Sequence, residues 1–123
     1  MIDVKIPMRP VPKGRPRFTS KGHVYTPKDT VEAEREIGLF VKLEMSKNGM
    51  ILCEGAMSMQ LEFCFEGDKP YHIKGADVDN LAKTVMDSCQ NILYKNDSQV
   101  IRLEASKVYG KANYIHIRAS EEK

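Results

Sequence analysis

Met57-Ser58-Met59-Gln60-Leu61-Glu62-Phe63-Cys64-Phe65-Glu66 alternates apolar side chains with mostly polar ones. A strand turns successive side chains to opposite faces, so this period of two puts Met57, Met59, Leu61, Phe63 and Phe65 on one buried face. Upstream the period changes. Ile37, Phe40 and Val41 repeat at helical spacing, Pro27 or Lys28 suits the start of that helix, and Asn48-Gly49 suits its end. Glu32, Glu34 and Glu36 fall in its early turns and Lys42 and Lys47 late, as the helix dipole favours.

Still earlier, Ile2, Val4 and Ile6 alternate with Asp3 and Lys5, a strand that stops at Pro7. Pro10, Pro12 and Pro16 with Gly14 make residues 9–17 an extended loop, and Lys21-Gly22 suits the tip of a short hairpin. Downstream of the central strand, residues 67–75 are polar. A second helix is expected to begin near Asp79 and to present Ala82, Val85, Met86, Cys89 and Leu93 on one face. Lys95-Asn96-Asp97-Ser98 reads as a turn. Two closing strands follow, Ile101, Leu103 and Ala105 alternating in one and Ile115 and Ile117 in the other, with Gly110 turning between them. The order β, α, β, α, β, β predicts an α+β fold, a small mixed β-sheet with two main helices packed on it, in a single domain over residues 1–123.

A chain of 123 residues fits one such domain, and any larger assembly must come from oligomerisation. No apolar run approaches the length that spans a bilayer, and Met1-Ile2-Asp3-Val4-Lys5 lacks the apolar core of a secretory signal, so the expected setting is cytoplasmic with no membrane partner. Cys53, Cys64 and Cys89 are odd in number and far apart, which reads as reduced, buried small hydrophobes. His23, His72 and His116 lack ligand spacing and read as surface or strand residues. Met8, Met45, Met50, Met57, Met59 and Met86 read as core filler. Net charge is +2, but residues 1–30 hold seven Lys or Arg against two acids, leaving twelve against fifteen in the rest. Such a one-ended basic excess points to a polyanion held at one place.

Two groups of residues could carry chemistry. Asp77-Val78-Asp79 sets carboxylates two apart in a segment entering a helix, Asp97 lies beyond that helix, and oxygen ligands of this kind suit a hard cation such as Mg²⁺. Lys83 lies four residues after Asp79, on the same helical face, where a cation would neutralise charge on a reacting phosphate. Each also has a plain structural use: Asp79 as a helix cap, Asp79 and Lys83 as a surface ion pair, Asn96-Asp97 as a turn. Asn80 and Ser98 beside these acids could orient them or cap. The other group is Lys13-Gly14-Arg15-Pro16-Arg17-Phe18 with Lys21 and Lys28, a proline-stiffened basic loop whose Lys13, Arg15, Arg17 and Lys21 suit DNA phosphates. Phe18 and Tyr25 suit either base stacking or the core, and Tyr71 and His72 either a wedge into the substrate or an ordinary loop.

Val11-Pro12-Lys13-Gly14-Arg15-Pro16-Arg17-Phe18, Asp77-Val78-Asp79-Asn80-Leu81-Ala82-Lys83 and Tyr94-Lys95-Asn96-Asp97-Ser98-Gln99-Val100 together resemble, in order and spacing, the RusA family of Holliday junction resolvases. The resemblance implies a homodimeric, Mg²⁺-dependent endodeoxyribonuclease, with Mn²⁺ a substitute, that makes paired symmetric nicks in a four-way DNA junction. It is a group common in bacteria and their prophages, with roles in DNA recombination and repair. It further implies Asp77, Asp79 and Asp97 as metal ligands and Lys83 as the catalytic lysine. Ala76 and Asn96 depart from the family pattern, standing where a proline and a second acid are frequent. Two rival readings remain: a branched-DNA-binding protein without activity, and a nuclease of broader taste that cuts flaps or forks.

Overall fold

The computed structural model describes residues 1–14, 17–18, 21–22, 24–25, 27–67 and 75–122, and at 17–18 and 24–25 the backbone alone. In chain order the elements are β1 (Ile2–Ile6), β2 (Arg17–Phe18), β3 (Val24–Tyr25), α1 (Lys28–Lys47), β4 (Met57–Glu66), α2 (Val78–Ser88), a 3₁₀ turn (Asp97–Gln99), β5 (Val100–Gly110) and β6 (Tyr114–Glu121). The α+β fold expected from the sequence is the fold observed.

Four strands form one mixed sheet in the order β1-β6-β4-β5, and β2 and β3 pair separately as a small antiparallel hairpin. Gly22 turns that hairpin at φ 81°, a left-handed conformation that glycine adopts without a Cβ penalty. β4 runs parallel to β5 and antiparallel to β6, while β1 runs antiparallel to β6. Parallel neighbours need a long crossover, and α2 with the segments flanking it supplies one between β4 and β5. The last strand thus lies inside the sheet, with Ile115, Ile117 and Ala119 buried between the faces of its neighbours.

The alternation in β4 does what its period requires: Met57, Met59, Leu61, Phe63 and Phe65 are all buried beneath the helices. From α1, Ile37, Val41 and Met45 meet that face; from α2, Leu81, Ala82 and Val85 do. Each fully buried aliphatic side chain contributes about 1.5–3 kcal/mol relative to exposure, so this joint apolar layer is what holds both helices down. α1 packs against α2 and β1, and α2 against β5.

Two expectations need correction. The second helix ends at Ser88, with Cys89 as its C-cap, and Asn91 then turns at φ 66°. Leu93 is buried as expected but stands past the helix, where the chain doubles back and the Cys53 amide donates to the Leu93 carbonyl at 2.9 Å. The alternation of Ile101, Leu103 and Ala105 does mark a strand, yet Ile101 is 67% and Leu103 42% exposed. β5 is an outer strand, and its pairing with β4 is irregular at its start, where Val100 faces Met57 and Arg102 faces Ser58, so Ile101 falls outside the regular alternation.

Cys53, Cys64 and Cys89 are free and buried, as read from their spacing. Met45, Met57 and Met59 are core residues, and Met8, Met50 and Met86 pack partly buried against the core. His116 lies on β6, while His23 and His72 fall outside the described residues.

Candidate active site

Asp77 is the N-cap residue of α2 and Asp79 lies in its first turn, both exposed. The Asp77 side chain makes no capping bond, so its carboxylate is not consumed by the helix it precedes. The Asp79 carboxylate accepts the Asn80 amide at 3.0 Å, a local contact that leaves its other oxygen available. One residue before, the Ala76 carbonyl accepts a hydrogen bond from Lys107 Nζ at 2.8 Å. That bond ties the approach to the helix onto β5.

Asp97 opens the 3₁₀ turn ahead of β5, and the path of the chain brings it back onto α2. Lys83 Nζ stands 3.3 Å from Asp97 Oδ2 and 3.3 Å from Asp87 Oδ1. The hydrogen bonds that Lys83 donates to Asp97 and then to Asp87 hold its ammonium above the ordinary lysine range despite a small opposing effect of burial. The ammonium is therefore fixed in charge and place, one turn along α2 from Asp79.

The turn that carries Asp97 is itself clamped. Asn96 Oδ1 accepts the Ser98 amide at 2.9 Å, while Gln99 Oε1 accepts the Lys95 and Asn96 amides at 3.0 and 3.1 Å, a reciprocal capping box. Gln99 Nε2 in turn donates to the carbonyls of Cys53 and Gly55 at 3.0 and 2.9 Å. Beneath, the fully buried Tyr94 hydroxyl donates to the Met86 carbonyl at 2.7 Å, locking the end of α2 to the strand-like segment before the turn.

The basic loop meets the same helix from the other side. Its Lys13 amide donates to the Asn80 carbonyl at 3.0 Å, and Lys13 Nζ pairs with Glu34 Oε1 at 2.6 Å and Asp87 Oδ2 at 3.0 Å. Partial burial pulls the Lys13 pKa down, but the two carboxylates outweigh it and the ammonium ends above its usual range. Gly14 follows with its amide on Thr30 Oγ1 at 3.0 Å; a Cβ there would stand 2.7 Å from Pro27 Cγ, so glycine is what lets the loop lie against α1.

The structure thus brings Lys83 and Asp97 together and sets Asp77 and Asp79 on the same short helix as Lys83. Among the described residues no group of three or more His, Cys, Asp or Glu side chains closes into a metal cage. The donor set is nevertheless all carboxylate oxygen, as hard divalent cations require, and it is accessible. Asn80 touches Asp79 through its backbone amide and Ser98 is the residue capped by Asn96, both by backbone groups. Lys21 is exposed; Arg15, Tyr71 and His72 fall outside the described residues, as do the side chains of Arg17, Phe18 and Tyr25.

Sequence reading missed Asp87, which grips Lys83 and Lys13 with its two oxygens, and Gln99, which anchors the Asp97 turn. Asp87 was signalled by its spacing of four from Lys83, and Gln99 by the Asn96-x-x-Gln99 capping pattern. Lys107 gave no such signal, because its contact with Ala76 spans distant segments.

A family model described as endodeoxyribonuclease RusA matches residues 7–119. The chain is also similar to a Bacillus subtilis (strain 168) protein described as uncharacterized protein YqaN, 40% identical over 45 residues, which are 37% of this chain and 32% of that protein. The matched stretch therefore covers about a third of that relative's length.

Proposed function

Because this chain belongs to the RusA endodeoxyribonuclease family, with the match running over residues 7–119, we propose that it is a divalent-metal-dependent endonuclease that resolves four-way DNA junctions by paired symmetric nicks. In this reading Asp77, Asp79 and Asp97 hold Mg²⁺, with Mn²⁺ an effective substitute, and the protein acts as a homodimer on branched DNA in the cytoplasm. The observation that carries it is the placement of Lys83 against Asp97, on the helix whose start holds Asp77 and Asp79.

When bound there, a divalent cation supplies Lewis acidity that polarises the scissile phosphodiester and eases deprotonation of the attacking water. The rest falls to side chains of the chain. Lys83, its charge favoured by Asp97 and Asp87, neutralises the phosphorane-like charge that builds as water attacks in line and the 3′-oxygen leaves, giving a 3′-hydroxyl and a 5′-phosphate. The N-terminal end of α2 adds its dipole to the same phosphate. Arg15, Arg17 and Lys21 contact neighbouring phosphates through the loop that Lys13 pins to α1 and α2. Loss of one such preorganised charge costs on the order of 10²–10³ in kcat.

The deciding experiment is cleavage of a labelled synthetic four-way junction with Mg²⁺ by the native chain and by Asp79→Asn, with binding measured for both. Paired symmetric nicks, lost in the variant while binding survives, are the expected result. Binding without cleavage in either Mg²⁺ or Mn²⁺ makes the chain a branched-DNA-binding protein instead. Equal cutting of a flap or fork makes it a broader structure-directed nuclease.

A further inference from the structure

β5 has β4 on one side and, among the described residues, no strand on the other. Its outer edge is a row of backbone donors and acceptors open to another chain, a hazard that natural edges blunt with proline, bulges or shortness. β5 runs eleven residues, Val100–Gly110, without proline; its pairing is irregular at one place, where Val100 faces Met57 and Arg102 faces Ser58 with Ile101 the extra residue between, and it is regular from Arg102 to Gly110. Its first half also exposes Ile101 at 67% and Leu103 at 42%, beside the charged Arg102 and Glu104.

We propose that this edge is the seat of a second copy of the chain, paired antiparallel along the first half of β5 with the two-fold axis at Leu103. The register follows from parity and charge. In an edge strand alternate residues turn their N–H and C=O outward, so a strand pairing with its own copy must have the two-fold axis on a residue, not between two. An axis at Arg102 sets Arg102 against itself, and one at Glu104 sets Glu104 against itself; like charges directly opposed destabilise. An axis at Ala105 opposes Leu103 to Lys107, and one at Ser106 opposes Glu104 to Val108. With the axis at Leu103, Arg102 faces Glu104 of the other copy, and the symmetry makes that pair twice. Leu103 then packs on its own copy, on the face that carries Met59 and Leu61 in β4, and Ile101 lies at the bulge beside this paired stretch.

Both charges have capacity for this. Among the described residues, Arg102 is bound through Nε to Glu122 at 3.3 Å, and Glu104 accepts a hydrogen bond from Gln60 at 3.3 Å. The axis of such a pair stands perpendicular to the sheet, so the two four-stranded sheets join into one and both α2 helices stay on the same face. This deepens the dimeric reading above and rests on it: two cutting sites on one face of a two-fold assembly match a substrate with two equivalent strands.

The test is the solution mass of the full chain by sedimentation velocity, with far-UV circular dichroism confirming the fold of each variant. The native protein is expected at twice its 14.0 kDa chain mass. Arg102→Glu and Glu104→Arg are each expected to halve that mass, and the double exchange Arg102→Glu with Glu104→Arg to restore it, because only this register sets those positions opposite each other. Leu103→Asp, which keeps both charges, is expected to halve it too. A native chain that sediments as a monomer at tens of micromolar, single exchanges that stay dimeric, or a double exchange that stays monomeric while folded overturns the interface. None of these readings requires nuclease activity. A native dimer responding as expected but cutting no junction upholds the interface and removes the resolvase reading, whereas a monomer that still nicks does the reverse.

Discussion

Asp87 divides its carboxylate between two lysines, Lys83 on its own helix and Lys13 from the basic loop, at 3.3 and 3.0 Å. An amide in its place keeps the shape but removes the charge that both ammonium groups face. Hydrogen bonds to charged groups contribute about 1.5–3 kcal/mol when well sheltered, and this carboxylate is only partly so. Asp87→Asn is therefore expected to destabilise the chain by about 1–2 kcal/mol in urea unfolding. A change within the noise of an exposed surface substitution would mean that the two contacts carry no net stability. The contact with Lys83 was legible as an i,i+4 pair. That with Lys13 was not, because nothing in the spacing of residues 13 and 87 says that the loop crosses the helix.

At the scale of the element, the site depends on two short pieces whose shapes come from backbone satisfaction. α2 stops at Ser88 although the apolar spacing runs on through Leu93, because the chain must turn back so that Cys53 can pair with the Leu93 carbonyl. Helical periodicity cannot register that, since a residue buried just past a helix leaves the same apolar mark as one within it. The 3₁₀ turn under Asp97 is held by Gln99, whose side chain closes the capping box and reaches the carbonyls of Cys53 and Gly55. Gln99→Ala is expected to cost about 1–2 kcal/mol, as capping losses do, and to lower cleavage more than binding because Asp97 loses its fixed position. Unchanged cleavage in a variant that is measurably less stable would show that the turn holds Asp97 without that residue.

For the whole molecule, the groups shifted on the alkaline side act in one direction with pH, while Asp3, lowered by its hydrogen bond with His116, acts only in acid. Burial raises the Cys89 thiol from 9.0 to about 12, burial and neighbouring negative charge push Tyr94 well above its ordinary range, and Lys13 and Lys83 are raised from 10.5. Each raised pKa means that the folded chain holds its proton more tightly than the unfolded one. The stability this contributes is complete below the unfolded pKa and is lost as pH climbs through the folded value. Unfolding free energy is thus expected to fall from about pH 9, where Cys89 begins to count, and more steeply above 10.5 as the lysines join. Cys89→Ala is expected to flatten the decline between 9 and about 12, a comparison made by urea unfolding across that range. An unaltered slope would place the alkaline loss on the lysines, Tyr94 and Tyr114, the last raised by its hydrogen bond to Glu62.

The sequence by itself determined the elements that are long and periodic. β4 could be read residue by residue because burial on one face of a strand repeats every two positions, and α1 because its stop at Asn48 and Gly49 is local chemistry. Asp77, Asp79, Lys83 and Asp97 are proposed as a set through the resemblance of three linked motifs to the RusA family, since spacing alone leaves a cap, an ion pair and a turn as their uses. Only the tertiary structure decided that β6 enters between β1 and β4, leaving β5 outermost with Ile101 and Leu103 exposed. Alternation reports that a strand has an apolar face and is silent on which neighbour covers it. The same holds for the charges: the pairing of Lys13 with Glu34 and Asp87, and of Lys83 with Asp97, joins residues far apart in the chain, and such partners are chosen by packing of the apolar layer beneath them.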